Sequence, residues 1–354
     1  MATVHRQLTT SFDRTAELWA AVDRLVDRAA SLDNLAAHGL HLFAARRRRA
    51  LGQDVPEAMI DEERRAAAVL LGATIALEQA RAAYDGTMLL MKGLEVGERY
   101  PDPSLRPLRD VDLLVDRPAR AQRALLAAGF EPIGPGDEYY AGRHHLRPLA
   151  LPGLPIVVEL HRRPEWVRWA TPPSAPELFS EAVPSATGID GVLAPSPAHH
   201  ALLVAGHSWA GAPLRRILDL VDVTLLAGGD FDRADLWETA RKWEVDGVWK
   251  TTSVAVDAVL FGGPTLPWHV RGWAGDLTKV RERTVFANHV RRIASPFSAL
   301  PMRRALPEAA RAAGHAVRRA EEDTWTSKLR RAARALRHAF HPISRHTRGL
   351  GDGR

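Results

Sequence analysis

The 354-residue chain contains no cysteine, which excludes structural disulfides and cysteine-based zinc sites. Its first residues lack a basic segment followed by an apolar run, so no secretory signal peptide is predicted. The longest uncharged apolar run, AAAVLLGATIAL at residues 66–77, falls well short of the roughly 20 residues that span a bilayer. These absences lead us to expect a cytoplasmic protein without a membrane span.

Positive charge is concentrated at the C-terminal end of the chain. Residues 303–354 contain 13 Lys and Arg against 5 Asp and Glu, whereas the rest of the chain has a small acidic excess. Apolar residues recur there at helical spacing: Trp325, Leu329, Leu336 and Phe340. We predict a basic amphipathic helical tail over residues 301–354. Such a helix either binds nucleic acid or an acidic partner, or packs its apolar side and leaves its arginines in solvent.

Two further regions of the chain have a helical pattern. Apolar residues from Phe12 to Phe43 recur at helical spacing, and a long helix is expected from about Asp61. These features predict an N-terminal helical region at residues 1–83. The helical pattern returns after Pro195, which predicts a second helical domain at residues 195–300.

Between the helical regions the pattern alternates between strands and helices. Short apolar runs predict strands at residues 87–91 and 111–115, followed by a helix that starts at Pro118 and ends at Gly129. Two later runs flank Pro152-Gly153 and predict a β-hairpin. We therefore expect an α+β fold, in which a small mixed β-sheet domain at residues 84–185 lies between helical regions.

Two carboxylates interrupt the second apolar strand. Asp110 and Asp112 are two residues apart, so both side chains point to one face of the strand, about 6–7 Å apart. Burying such a pair is costly unless a cation meets it. Mg²⁺ prefers carboxylates together with water and phosphate oxygens. Glu159, in the strand IVVELHRR, is the candidate third carboxylate, and His161 lies on the same face in a supporting role.

Three of the cationic residues that precede Asp110 in the chain have charges that suit an anionic ligand. Lys92-Gly93 follows the first strand, and glycine lets the backbone approach a phosphate closely. Arg106 and Arg109 lie just before Asp110 and can add positive charge. The order of these motifs predicts a metal–triphosphate site.

The segments LLMKG, RPLRDVDLLV and VVELH, together with Tyr100 and the flanking helices, resemble the DNA-polymerase-β-like nucleotidyltransferase superfamily. They resemble more closely a family of uncharacterised bacterial nucleotidyltransferases that carries Lys-Gly in place of the usual Gly-Ser. The resemblance covers most of residues 30–250 and implies that residues 84–185 are the catalytic domain. It implies Asp110, Asp112 and Glu159 as ligands for Mg²⁺ or Mn²⁺, and Lys92-Gly93 as the phosphate-binding turn.

The implied reaction moves a nucleotidyl group from an NTP co-substrate to an unidentified acceptor: a small molecule, a peptide, a protein or RNA. Tailoring of a peptide product is one role that the resemblance suggests. Two alternatives stay open: phosphoryl or pyrophosphoryl transfer on the same scaffold, and a non-catalytic protein that binds nucleotide or nucleic acid through the basic tail. The resemblance also picks out His207 and Asp219, for which packing between the helical and catalytic regions is the simpler interpretation.

Overall fold

The computed structural model describes residues 11–229 and 231–317, together with residues 326, 329–330, 333 and 339–342. Within these residues the chain forms fifteen α-helices and one seven-stranded mixed sheet. The α+β architecture predicted from the sequence is therefore confirmed. Most of the predicted basic tail helix after Val317 lies outside the described residues.

Four helices form the N-terminal region: α1 (Ser11–Arg28), α2 (Leu32–His38), α3 (His41–Ala50) and α4 (Glu57–Ala83). The Ser31 hydroxyl caps α2 by accepting a hydrogen bond from the Asn34 amide, and Gly39 ends the helix with a φ of 75°. By length and composition α4 could cross a membrane. Its C-terminal half, however, packs Ala73, Ala76 and other small residues into the core beneath the sheet, as core helices of soluble proteins also do.

The strands are β1 (Met88–Leu90), β2 (Asp110–Val115), β3 (Glu131–Pro132), β4 (Leu149–Ala150), β5 (Val157–His161), β6 (Val183–Pro184) and β7 (Val192–Ala194). Their order in the sheet is β3-β4-β5-β2-β1-β7-β6. Strands β2 and β5 pair in parallel, as do β1 and β7, and the other neighbours are antiparallel. The predicted hairpin is the β4–β5 pair. The edge strand β6 and its neighbour β7 were not predicted, because runs of two and three residues have no readable periodicity.

The two faces of the sheet meet different partners. Val111, Leu113 and Val115 of β2 pack into one core with α4 and with α6 (Pro118–Ala127). Leu114, on the opposite face, packs into a second core with the helical regions. Because side chains alternate along a strand, Asp110 and Asp112 also lie on this second face. The helix α5 (Leu94–Gly97) follows β1, and α7 (Ala175–Ser180) lies between β5 and β6.

Eight helices follow the sheet: α8 (Pro197–Ala210), α9 (Ile217–Ala227), α10 (Arg233–Lys242), α11 (Asp246–Leu260), α12 (Trp268–Lys279), α13 (Val285–Ala294), α14 (Pro296–Ala299) and α15 (Met302–Val317). Helices α8 to α12 share one apolar core with α1, α2 and α3, and α13 and α14 pack against this core. In α8, Gly206 is required by packing, because a Cβ there would lie 2.4 Å from the Trp166 ring. The N-terminal and C-terminal helices therefore form one packed unit against the sheet.

A buried ion pair joins the sheet domain to the helical unit. Asp222 of α9 accepts hydrogen bonds from Arg106 Nη2 at 2.8 Å and Nε at 3.1 Å. The Tyr100 hydroxyl donates to the same carboxylate at 2.6 Å. Asp222 and Arg106 are 2% and 7% exposed, so neither charge has water as a substitute partner. Arg106, predicted as a phosphate ligand, instead uses its guanidinium to hold the two parts of the molecule together.

We expect Asp222→Asn to lower the free energy of unfolding by about 3–5 kcal/mol, because the Arg106 charge then stays buried without a counter-charge. Urea unfolding followed by tryptophan fluorescence measures the loss. The matched control is Asp85→Asn, which breaks an exposed pair with Arg120 and is expected to cost no more than about 1 kcal/mol. Equal unfolding midpoints for both variants would contradict the anchoring role of Asp222.

The buried histidine of α8 makes the fold sensitive to acid. Burial lowers the pKa of His200 to about 3, and Arg99 nearby also disfavours its charged form. The unfolded chain takes up this proton below about pH 6.5, so stability is present above that pH and is lost as the pH falls.

Between pH 7 and pH 5 we expect the wild type to lose about 2 kcal/mol of unfolding free energy because of His200, and His200→Gln to lack this loss. Urea unfolding at each pH measures the difference. His269→Gln, at an exposed position, serves as the control and should keep the wild-type slope. If His200→Gln also keeps the wild-type slope, the acid sensitivity has another source.

Candidate functional site

The parallel pairing of β2 and β5 brings the predicted carboxylates together. In this register Asp112 is opposite Glu159, Leu114 is opposite His161, and Asp110 is opposite Val157. The side chains of Asp110, Asp112, Glu159 and His161 therefore share the face of the sheet that meets the helical unit. Asp112 is 1% exposed, whereas 19% of the Glu159 side chain is exposed. The site is thus buried at Asp112 and opens toward Glu159.

Two cationic groups hold the two oxygens of Asp112. His161 Nε2 donates a hydrogen bond to Oδ1 at 3.0 Å, and Lys92 Nζ lies 3.2 Å from Oδ2. Burial raises the pKa of this carboxyl group, but Lys92 and His161 outweigh burial and hold the pKa well below its ordinary value. Asp112 is therefore a permanent negative charge at the bottom of the site.

His161 links the two carboxylates that face each other across the strands. Its Nε2 atom lies 3.6 Å from Glu159 Oε2 as well as 3.0 Å from Asp112. Burial lowers the pKa of His161, but hydrogen bonds to Asp112 and Glu159 raise it overall to about 9. His145 approaches the same Glu159 oxygen at 3.8 Å from the segment beside β5.

The carboxylates fit a divalent cation. Burial and the neighbouring charge of Asp112 raise the pKa of Asp110 to about 6, which shows that a further positive charge beside it would be favourable. Ligand atoms of Asp112, Glu159 and His161 all lie within 4.8 Å of one another. Clustered carboxylate oxygens are the ligands that Mg²⁺ and Mn²⁺ prefer. These residues therefore have both the charge and the spacing of a metal site.

The Lys92-Gly93 turn lies directly beside the carboxylates. Its preceding residue, Met91, donates its amide hydrogen to the Asp112 carbonyl at 3.1 Å, which fixes the end of β1 on β2. Gly93 has a φ of 66° and a ψ of −113°, a conformation that residues with a side chain rarely adopt. This turn positions Lys92 between the sheet and the helical unit.

A hydrogen-bonded pair from the helical side supports Lys92. Lys92 Nζ donates to His207 Nε2 at 3.2 Å, which places the His207 ring proton on Nδ1. That nitrogen lies 3.2 Å from Glu165 Oε2. The hydrogen bond from His207 lowers the pKa of Glu165 to about 2 in spite of burial. His207 therefore contacts the end of β1 through Lys92.

Arg109 and Arg215 make no ion pair with a carboxylate in the part of the chain that the structure describes. Arg109 is exposed and directly precedes Asp110. Arg215 is also exposed and interacts electrostatically with Arg109 and with Arg216. By contrast, Arg216 donates to Asp219 at 2.7 Å and caps α9. Arg109, beside Asp110, and Arg215, which is close enough to Arg109 to interact with it, are therefore two neighbouring cations without a paired carboxylate.

The sequence had not singled out Arg215, Glu165 or His145 as site residues. Arg215 lies far along the chain from Asp110, and nothing in its local pattern places it near β2. Glu165 lies only four residues after His161, so its closeness to the acidic strand was a usable signal. His145 is detectable only once the pairing of its segment with β5 is known.

Comparison with known proteins agrees with this geometry. Residues 25–252 match the sequence profile of a family described as uncharacterised nucleotidyltransferases. The matched region contains the whole sheet and helices α8 and α9, and ends before α12. Neither the comparison with curated proteins nor the comparison with solved structures found a match. Since the match spans well over half of the chain, this protein belongs to the uncharacterised nucleotidyltransferase family.

Proposed function

We propose that this protein transfers a nucleotidyl group from an NTP to an acceptor, and that Asp110, Asp112 and Glu159 bind Mg²⁺ or Mn²⁺ for this reaction. The observation that carries the proposal is the meeting of these three carboxylates on one sheet face beside Lys92. Family membership supports the same reaction class. When bound, the divalent cation neutralises the triphosphate and activates the acceptor oxygen.

Lys92 and Gly93 are proposed to bind the phosphates. Lys92 Nζ lies between Asp112 and His207, at 3.2 Å from each. Its side chain is long and flexible, so a short movement would bring the ammonium group to a phosphate oxygen bound beside Asp112. Gly93 has no side chain to keep a phosphate away from its backbone. A Cβ at this position would lie 3.5 Å from the Asp110 carbonyl oxygen. Any side chain at this position would occupy space next to the carboxylate strand.

Arg109 and Arg215 complete the proposed phosphate site. Their charges lie close enough to repel each other, and the partial desolvation of the Arg215 guanidinium, together with the charges of Arg216 and Arg109, lowers the pKa of Arg215. An anion placed between them would relieve this repulsion, and a triphosphate offers several oxygens for guanidinium groups. Arg106 has no such role in the proposal, because Asp222 binds its guanidinium in the buried anchor.

We propose an acceptor with a hydroxyl or similar nucleophilic group. The open side of the site lies at Glu159. Asp112 and Glu159 face each other across the strands, and Glu159 is the more exposed of the two. An acceptor entering there would meet Glu159 and His145 before it reached the nucleotide. The carboxylate of Glu159 is therefore placed to orient the attacking group.

The proposed function predicts metal-dependent nucleotide binding. Mg²⁺-ATP should bind the wild type in calorimetric titration, and omission of Mg²⁺ or the double change Asp110→Asn/Asp112→Asn should abolish measurable binding, because the metal then has no ligands. The double change Asp85→Asn/Asp137→Asn, at exposed positions, is the charge-matched control and should bind as the wild type does.

The position of a label in ATP separates nucleotidyl from phosphoryl transfer. With fractionated cell extract as the acceptor source, label at the α-phosphate should appear in a product, and label at the γ-phosphate should be released in pyrophosphate. A product that carries the γ-label without the α-label would establish phosphoryl or pyrophosphoryl transfer instead. Equal binding of Mg²⁺-ATP by the wild type and the Asp110→Asn/Asp112→Asn variant would remove the basis of the proposal.

A further prediction tests whether Arg215 binds the terminal phosphates of the nucleotide. Arg215→Ala should weaken Mg²⁺-ATP binding at least about tenfold, because one charge-assisted contact to phosphate is worth roughly 1.5–3 kcal/mol. Binding of AMP, which lacks the terminal phosphates, should change little. Arg123→Ala, on α6 at the opposite face of the sheet, is the control and should leave both affinities unchanged. A loss of AMP binding as large as the loss of ATP binding would contradict the assignment to terminal phosphates.

A further inference from the structure

We infer that His161 is itself a metal ligand, and that the position it forms with Asp112 and Glu159 takes a first-row transition cation in preference to Mg²⁺. The inference rests on the proposed metal-dependent function. It goes further by distinguishing two cation positions along one strand face and by giving them different chemistry.

The strand register separates the two positions. Asp112 and Glu159 face each other in the middle of the row, Asp110 lies one step before them, and His161 lies one step after them. A cation between Asp110 and Asp112 has carboxylate oxygens as its protein ligands. A cation on the other side of Asp112 meets two carboxylates and one imidazole nitrogen.

The distances around His161 suit direct coordination. His161 Nε2 lies 3.0 Å from Asp112 Oδ1 and 3.6 Å from Glu159 Oε2. Ligands on metal bonds of about 2.1 Å lie about 3.0 Å apart at right angles and about 3.4 Å apart in a tetrahedron. One cation could therefore reach all three side chains with little movement of the strands.

The orientation of the His161 ring points to the same nitrogen. The residue is 2% exposed, and its other nitrogen, Nδ1, has no hydrogen-bond partner within the described chain. Contacts with the two carboxylates therefore hold the ring through Nε2 alone. Coordination replaces the hydrogen that Nε2 now donates to Asp112, and the displaced proton goes to solvent.

The ligand set decides the class of cation. Mg²⁺ favours oxygen ligands and loses its water reluctantly, whereas imidazole nitrogen favours transition cations such as Zn²⁺ and Co²⁺; Mn²⁺ also prefers oxygen but binds imidazole more readily than Mg²⁺ does. A position with one imidazole and two carboxylates therefore selects against Mg²⁺. The oxygen-lined position beside Asp110 has no such selectivity, so the two positions can hold different cations at the same time.

Pulsed electron paramagnetic resonance with Mn²⁺ alone, without nucleotide, tests the inference. Bound Mn²⁺ should show a hyperfine coupling to histidine nitrogen, and His161→Gln should abolish this coupling and weaken Mn²⁺ binding at least about tenfold. His145→Gln is the matched control, because His145 also approaches Glu159 but at 3.8 Å, and it should retain the coupling. Mg²⁺ affinity should change less than Mn²⁺ affinity in His161→Gln.

A second measurement uses the unmutated protein and does not depend on whether His161→Gln folds. Histidine labelled with the heavy nitrogen isotope should change the coupling pattern of bound Mn²⁺. If the wild type binds Mg²⁺-ATP but bound Mn²⁺ shows no histidine coupling, the inference about His161 is wrong and the proposed function stands. If Mg²⁺-ATP does not bind at all, the proposed function itself fails. Loss of the coupling in His145→Gln but not in His161→Gln would show that the nitrogen ligand is His145, and the inference about His161 would be wrong.

Discussion

The burial of one carboxylate, Asp112, determines how the site is arranged. A charge at 1% exposure inside a sheet is tolerated only when other charges and donors surround it. Lys92 comes from the end of β1 and His161 from β5, so the two strands that flank β2 each supply one partner. Without Asp112, the half-buried Lys92 and the buried His161 would be cations beside an incomplete set of counter-charges. The local structure of three neighbouring strands is therefore tied to one charge.

The alternation of side chains along the strands separates stability from chemistry. On one face, Val111, Leu113 and Val115 pack against α4 and α6, and this core holds the sheet together. On the other face lie the charged residues, at the boundary with the helical unit. Because the two sets alternate in the same strand, a shift of register by one residue would bury the carboxylates in the apolar core. The apolar face thus specifies the register that the charged face needs.

The sheet domain and its acidic row were predictable, because period-two alternation and the interrupted apolar run are local signals. Asp110, Asp112 and Glu159 come together as that pattern indicated. The function of Arg106 was not predictable, because its partner Asp222 lies on a helix more than a hundred residues later. The same reason applies to Arg215. The sequence does not distinguish an arginine that binds a ligand from one that forms a structural ion pair. Only tertiary packing decides which arginine has a buried carboxylate as its partner.

The helices outside the family match also support the site. Arg283, between α12 and α13, donates to the Leu214 carbonyl at 3.1 Å and pairs with Asp276 at 2.7 Å. Leu214 has a φ of 47°, a conformation that costs free energy for a residue with a branched side chain. The hydrogen bond from Arg283 helps hold this turn, and Arg215 is the next residue. The segment between α12 and α13 is thus linked to the residue that precedes Arg215, so a change in the packing of Arg283 would be felt at the proposed phosphate site.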